Sequence, residues 1–327
     1  MTSVEILLGD ALGRVKTLAE GSIQTVVTSP PYWGLRDYGT ASWEGGDSTC
    51  EHSISMPSKW TDKKRRADRP EVANRGGDNS KCHKCGALRI DEQIGLESSP
   101  EKYISNLVQL FDEIKRILAD DGTVWINIGD SYVGQSWSGK GNVGSDKKGR
   151  RGAGHKKQGK GLKPKDLVGI PWMLAFAMRE AGWYLRSDII WAKPNPIPEP
   201  VRDRPTRAHE YIFLFSKNRK YYYDYEAVKE KTVDGLGLRN ARDVWFITPR
   251  QHRGEHIAVF PFELPERCIL AATRVGDTVL DPFVGSGTVC EVAKRLNRNS
   301  VGIELNEQYF NIAAKLMKIT TLEDFSG

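Results

Sequence analysis

Thr278-Val279-Leu280-Asp281-Pro282-Phe283-Val284-Gly285-Ser286-Gly287-Thr288 reads as a short apolar strand, a glycine turn and the start of a helix. Glycines at such a turn let the backbone pass close to a ligand, and the helix N-terminus offers N–H groups without intrahelical partners. About twenty residues on, Val301-Gly302-Ile303-Glu304 ends the next apolar run on a carboxylate, which suits the two hydroxyls of a ribose. A glycine turn also occurs without any nucleotide, so its chemistry matters. The dinucleotide pattern Gly-x-Gly-x-x-Gly is incomplete, because Cys290 stands where its third glycine belongs, and no Gly-Lys-Ser/Thr phosphate loop exists. Asp281 at the head of the turn would repel a pyrophosphate. It would suit a cationic ligand end such as an ammonium or a sulfonium.

Working outward, short apolar runs at 4–8, 25–28, 123–128, 185–191, 211–215, 278–280 and 300–303 predict strands. Helical patterns alternate with them, which predicts an α/β fold with a mainly parallel sheet. Ser99 and Pro100 make a cap and first-turn pair ahead of Ile104, Leu107, Val108, Phe111, Ile114 and Leu118 at helical spacing. Further helices are expected at 171–181, 264–272, 287–296 and 307–319, with Gly182 and Asn306 as caps. Three stretches fit neither pattern: 40–92, 134–165 and 217–255. They read as insertions on one domain spanning 1–327, and loops of that length are usually functional or disordered.

A second strand end carries Thr28-Ser29-Pro30-Pro31-Tyr32-Trp33. The two prolines stop the strand and fix φ, which holds the Ser29 side chain and the Pro30 carbonyl at the sheet's carboxyl edge. Tyr32 and Trp33 are candidate faces for a base to stack on. The plainer reading is a proline-stiffened strand end with core aromatics.

Bulk properties narrow the class. Hydrophobic residues make up 39% and charged residues 28%, ordinary for a globular protein, and the net charge is +6. No apolar run approaches the ~18 residues of a membrane helix, and the N-terminus has no secretory pattern. Lysines and arginines crowd 140–165, opposed there only by Asp146, and a second basic run covers 59–69. The 140–165 run predicts a mobile phosphate-binding loop; Arg239, Arg242, Arg250, Gln251 and Arg253 are candidates for reading base edges. Five cysteines, an odd number, argue against a disulfide framework and for a reducing, cytoplasmic setting. Cys50-x-His52 and Cys82-x-x-Cys85 bracket the 59–69 run and suit a tetrahedral structural zinc, with His83 as a substitute ligand.

Ser-Pro-Pro-Tyr after one strand and Asp-Pro-Phe-x-Gly-Ser-Gly-Thr after another resemble the amino-methyltransferase family of DNA modification enzymes. The catalytic motif comes before the cofactor motif, which is similar to the family's β class. The resemblance extends through Leu7-Leu8-Gly9-Asp10, Asp121-Gly122-Thr123-Val124-Trp125, Gly182-Trp183-Tyr184-Leu185-Arg186 and His256-Ile257-Ala258-Val259-Phe260-Pro261. It implies a mainly parallel, seven-stranded, Rossmann-like methyltransferase sheet with helices on both faces and a circularly permuted motif order, plus a small zinc-binding insertion. It also implies S-adenosylmethionine as cofactor and double-stranded DNA as partner, without a membrane, and allows a companion restriction endonuclease. The sequence sets no oligomeric state.

Carried over by resemblance, Asp281, Phe283, Gly285, Gly287 and Thr288 line the methionine half of the cofactor. Glu304 holds the ribose and Asp10 lies near the adenine. His256, Phe260 and Pro261 close over the methionine end. Ser29, Pro30, Pro31 and Tyr32 carry catalysis. Family members acting on adenine N6 usually have Asp or Asn at the position of Ser29, whereas Ser is typical of N4-cytosine enzymes. The implied activity is therefore methylation of cytosine N4 in DNA. Adenine N6, an RNA substrate, or a non-catalytic zinc-containing DNA-binding protein are the alternatives. Cytosine-C5 chemistry uses a cysteine after a proline, and no cysteine here follows one.

Overall fold

The computed structural model describes residues 2–34, 38–53, 81–133, 161–249 and 260–319. In chain order these form β1 (Val4–Leu8), α1 (Ala11–Val15), β2 (Ile23–Thr28), β3 (Ser42–Glu44), β4 (Leu88–Ile90), α2 (Pro100–Ile117), β5 (Leu118–Ile128), α3 (Ile170–Glu180), β6 (Tyr184–Ala192) and β7 (His209–Ser216). Then follow β8 (Glu230–Lys231), β9 (Leu238–Arg239), β10 (Val244–Phe246), α4 (Glu263–Ala272), β11 (Thr278–Asp281), α5 (Thr288–Arg295), β12 (Asn299–Glu304) and α6 (Glu307–Ile319). Contacts divide the chain into two compact units, Met1–Asp37 with Ile94–Gly327, and Tyr38–Gln93.

The larger unit is built on one sheet ordered β1-β12-β11-β2-β5-β7-β6-β10. All neighbours pair in parallel except at β7, which opposes both β5 and β6. Every residue of β2 is buried, as expected of a central strand covered on both faces. Side-chain alternation splits the core in two. Val26, Val124, Ile126, Phe213 and Phe215 pack with α2 and α3, whereas Val27, Trp125, Ile212 and Leu214 pack with α4 and α5. Helices thus cover both faces.

Helix α2 follows from its sequence. Ser99 Oγ accepts the Lys102 N–H at 3.3 Å, Pro100 occupies the first turn, and Tyr103, Leu107, Leu110, Phe111 and Ile114 form the buried face. Each such side chain contributes roughly 1.5–3 kcal/mol on burial. Asn306 caps α6 as expected, its Oδ1 accepting from Gln308 and Tyr309.

All seven expected strands are present, but the sheet has eight. The addition is β10, three residues at the β6 edge, with buried Trp245 stacked on Trp125 at 6.4 Å. Three residues are too short to show a two-residue period, so the segment reads as loop. Helix α1, only five residues long, escapes for the same reason. Among the described residues no helix is long and apolar enough to cross a membrane.

The smaller unit is organised by the antiparallel pair β3–β4, with Ser42 opposite Ile90 and Glu44 opposite Leu88. Its chain ends are tied by the Tyr38 N–H on Gln93 Oε1 at 2.8 Å.

Candidate active site

Parallel pairing brings the carboxyl ends of β1, β12, β11, β2, β5 and β6 to one edge, where the reversed β7 contributes its amino end. Ligands of open α/β sheets collect at such an edge.

On the cofactor side, Asp281 is buried, and its Oδ1 accepts from Thr28 Oγ1 at 2.7 Å and from the Phe283 N–H at 3.0 Å. The glycine turn is thereby joined to the strand that carries Ser29. Burial pushes the Asp281 carboxyl up to about 7, against the lowering effect of those two donors. Glu304 Oε2 accepts the Gly285 N–H at 2.9 Å and Oε1 the Asn306 N–H at 2.8 Å. These bonds fix the carboxylate's orientation, and each oxygen keeps a second lone pair for a hydroxyl donor. Burial raises its pKa as well. At Gly285, φ is +53° and a Cβ would meet nothing within 4 Å, so the turn offers open space for a ligand rather than for packing. Gly287, at φ +93°, begins α5, and Thr288 follows, buried. Asp10 lies two residues past β1, its Oδ2 capping α1 through the Gly13 N–H at 2.7 Å, and the Gly9 N–H donates to the Glu304 carbonyl at 2.8 Å. The carboxyl ends of β1 and β12 are thus tied together.

Beside the glycine turn, the Ser-Pro-Pro-Tyr loop after β2 is fastened at several points. Tyr103 donates to the Pro31 carbonyl at 2.9 Å, Gly34 N–H to the Gly95 carbonyl at 2.7 Å, and Trp33 Nε1 to the Glu97 carbonyl at 2.9 Å. Ser29 Oγ donates to Asn127 Oδ1 at 3.4 Å. The Tyr32 hydroxyl lies 2.7 Å from Glu210 Oε2 and 3.1 Å from Asn127 Oδ1, its one proton weighted to the carboxylate. Burial, and then the Glu210 charge, push the Tyr32 hydroxyl well above its ordinary range, so it remains a donor. Gly129 makes room for its ring, since a Cβ there would stand 2.7 Å from Tyr32 Cε2.

Trp33 corrects the sequence reading. It is 2% exposed, belongs to the core, and spends its N–H on the Glu97 carbonyl. It offers no face to a base.

The smaller unit holds a compact donor cluster. The ligand atoms of Cys50, His52, Cys82 and Cys85 all lie within 4.8 Å of one another, with Cys50 Sγ to Cys82 Sγ at 3.9 Å and Cys85 Sγ to His52 Nδ1 at 3.3 Å. Tetrahedral zinc with Zn–S of about 2.3 Å sets its sulfurs about 3.8 Å apart, so these residues fit the ion. The turn that presents two of them closes through Gly86 N–H to the Cys82 carbonyl and Cys82 N–H to the Ala87 carbonyl. Gly46 packs beneath it at φ +72°, where a Cβ would lie 2.8 Å from Cys85 Sγ. His52, not His83, belongs to the cluster, and its ring stacks on Trp43 at 4.9 Å.

The N6/N4 DNA methylase family matches the chain over residues 23–315. This protein is a member of that family. It is 46% identical to the type II methyltransferase M.Cfr9I of Citrobacter freundii, over 95% of this chain and 86% of the relative. It is 45% identical to the type II methyltransferase M.SmaI of Serratia marcescens, over 96% of this chain and 90% of that one. The fold is similar to the PvuII DNA methyltransferase (cytosine-N4-specific), with a TM-score of 0.60 at 19% identity, covering 96% of this chain and 86% of that one. It is similar too to a Thermus thermophilus protein complexed with S-adenosyl-L-methionine, with a TM-score of 0.57 at 21% identity and coverage of 99% and 95%.

In this methylase the sheet edge brings together Asp10, Ser29, Pro30, Pro31, Tyr32, Asp281, Phe283, Gly285, Gly287, Thr288 and Glu304. Pro261 lies just before α4, its carbonyl accepting the Leu264 N–H, and Phe260 packs against the α4 side of the core. His256, Arg250, Gln251 and Arg253 lie outside the described residues, as do 134–160. The flanks of 134–160 are stitched together past β5, by Val133 N–H to the Asp166 carbonyl and Lys165 N–H to the Val133 carbonyl. Arg239, expected at base edges, is ion-paired with Glu230 across β8–β9. Sequence reasoning missed Asn127, Lys193 and Glu210. The available signal was a polar residue inside or at the end of an apolar strand.

Proposed function

We propose that this protein transfers the methyl group of S-adenosylmethionine to N4 of cytosine in double-stranded DNA. The observation that carries the reading is the Thr28–Asp281 bond. It locks a Ser-Pro-Pro-Tyr loop beside a glycine turn headed by a buried carboxylate. When bound, the sulfonium cofactor supplies an electrophilic methyl group. Asp281, Phe283, Gly285, Gly287 and Thr288 would hold its methionine half, Glu304 its ribose, and Asp10 would lie near its adenine. Phe260 and Pro261, with His256, would close the methionine end.

An exocyclic amine is a weak nucleophile because its lone pair is delocalised into the ring. Two acceptors on its two N–H bonds draw the nitrogen towards a tetrahedral shape and free that pair. Ser29 Oγ and a proline carbonyl supply them in this reading. The Pro31 carbonyl is engaged by Tyr103, which favours Pro30. Tyr32, half-buried beside them, gives the base a face to lie on. The base must leave the duplex to reach the loop. The choice of cytosine N4 over adenine N6 rests on the resemblance, in which Ser at the position of Ser29 is typical of N4-cytosine enzymes and Asp or Asn of adenine-N6 ones.

Residues 40–92 are read as a structural zinc module held by Cys50, His52, Cys82 and Cys85. We read 134–165 as a phosphate-binding loop, 217–255 as a target-recognition segment and the motif order as circularly permuted. The type II relatives make a companion restriction endonuclease a fitting partner. Tritiated methyl transfer from S-adenosylmethionine to duplex DNA, with structured RNA in parallel, tests the assignment. Label in DNA alone is expected; label in RNA alone, or in neither, refutes it.

A further inference from the structure

Behind the Ser-Pro-Pro-Tyr loop lies a polar network drawn from three strands. Glu210, near the amino end of β7, accepts two hydrogen bonds on one oxygen. They come from the Tyr32 hydroxyl at 2.7 Å and from Asn127 Nδ2 at 3.1 Å. Its other oxygen is ion-paired with Lys193, one residue past β6. The Lys193 ammonium sits 4.3 Å from the Trp191 ring centroid, and both charged side chains are four-fifths buried or more. Asn127, 2% exposed, spends its second Nδ2 hydrogen on the Tyr211 carbonyl at 3.2 Å. With both amide hydrogens committed, Asn127 can present only Oδ1 to Ser29.

We propose that Glu210, anchored by Lys193, is a positioning residue that acts on Ser29 through Asn127. By fixing the Asn127 amide it keeps Oδ1, 3.4 Å from Ser29 Oγ, turned towards the Ser29 hydroxyl as an acceptor for its proton. That turns the lone pairs of Ser29 Oγ away from Asn127, towards the space a flipped base would enter. The same carboxylate oxygen holds the Tyr32 hydroxyl, so loop position and hydroxyl direction are set together. A carboxylate is required because two donors converge on one oxygen while an ammonium faces the other. Glutamine would place its NH2 either against the Tyr32 and Asn127 donors or against Lys193.

The inference rests on the reading that Ser29 accepts an amino hydrogen of the base, and the test separates the two. Misplacement on the scale of 1 Å costs on the order of 100-fold in rate. Glu210→Gln should therefore lower kcat roughly 10–100-fold, while calorimetric affinity for S-adenosylmethionine and the KM for DNA stay near wild type. In the Ser29→Ala background the same change should cost clearly less than it does alone, because one of the two groups it positions is gone while Tyr32 remains. Lys193→Met should show the same non-additivity with a smaller loss, and serves if Glu210→Gln does not fold. Full activity of Ser29→Ala would refute the reading of Ser29 and this proposal with it. An impaired Ser29→Ala with either second change multiplying fully onto it would refute the positioning role alone.

Discussion

Asp281 places a carboxyl in the core at the point where the glycine turn meets the end of β2, ahead of the Ser-Pro-Pro-Tyr loop. Burial raises it from an ordinary 3.8 to about 7. Between those values the unfolded chain has released a proton that the folded chain retains. This group's contribution to stability therefore falls as pH rises from about 4 through about 7. A cationic ligand end beside it favours the ionised form, so binding of S-adenosylmethionine near pH 6.5 should release a proton. Calorimetry in buffers of different ionisation enthalpy reads that release, and Asp281→Asn should abolish it. Equal release in the variant would remove Asp281 from the linkage. Asp281, Ser29 and Glu304 are legible in the sequence because each stands at the end of an apolar run beside glycines or prolines. Asn127, Lys193 and Glu210 are not. Each shows locally only as a polar residue in or beside an apolar strand, and only the β5–β7–β6 pairing brings them together.

At the scale of elements, the donor cluster belongs to the unit built on β3–β4, whose described residues form little apolar core. The described buried hydrophobic residues of Tyr38–Gln93 are Cys82 and Ala87. A unit of this kind is expected to depend on a bound metal for its fold. Purified protein should carry one zinc per chain by elemental analysis. Cys82→Ser should abolish it and open 38–93 to proteolysis, with cofactor affinity retained. Protein prepared without chelator that lacks stoichiometric metal would contradict the assignment. Paired spacings of Cys and His suffice to find this cluster, because a tetrahedral site would impose local spacing. The strands β3, β4, β8, β9 and β10 escape sequence reading, because two or three residues carry no period and their pairing is set by distant partners.

For the whole molecule, the described flanks of the segment 134–165 meet just past the carboxyl end of β5, at the sheet edge of the candidate site. Its basic residues should then bind phosphate without reading sequence. Replacing Lys147, Lys148, Arg150 and Arg151 by neutral residues should weaken binding to all duplexes alike. The slope of log K against log salt should flatten by about 0.9 for each phosphate no longer neutralised. A changed sequence preference at constant slope would instead mean that the segment reads bases. The α/β class and strand content are legible because periodicity is a local property. Spatial order is not, since β11 is inserted between β12 and β2 by contacts some 250 residues apart, such as Thr28 with Asp281. The proposed position of methylation, cytosine N4, rests on Ser29 standing where the resemblance puts Asp or Asn in adenine enzymes. Mass spectrometry of nucleosides from duplex DNA treated with the purified enzyme and S-adenosylmethionine measures it directly. N4-methylcytosine is the expected product, lost or strongly reduced with Ser29→Ala. N6-methyladenine as the sole product would contradict it.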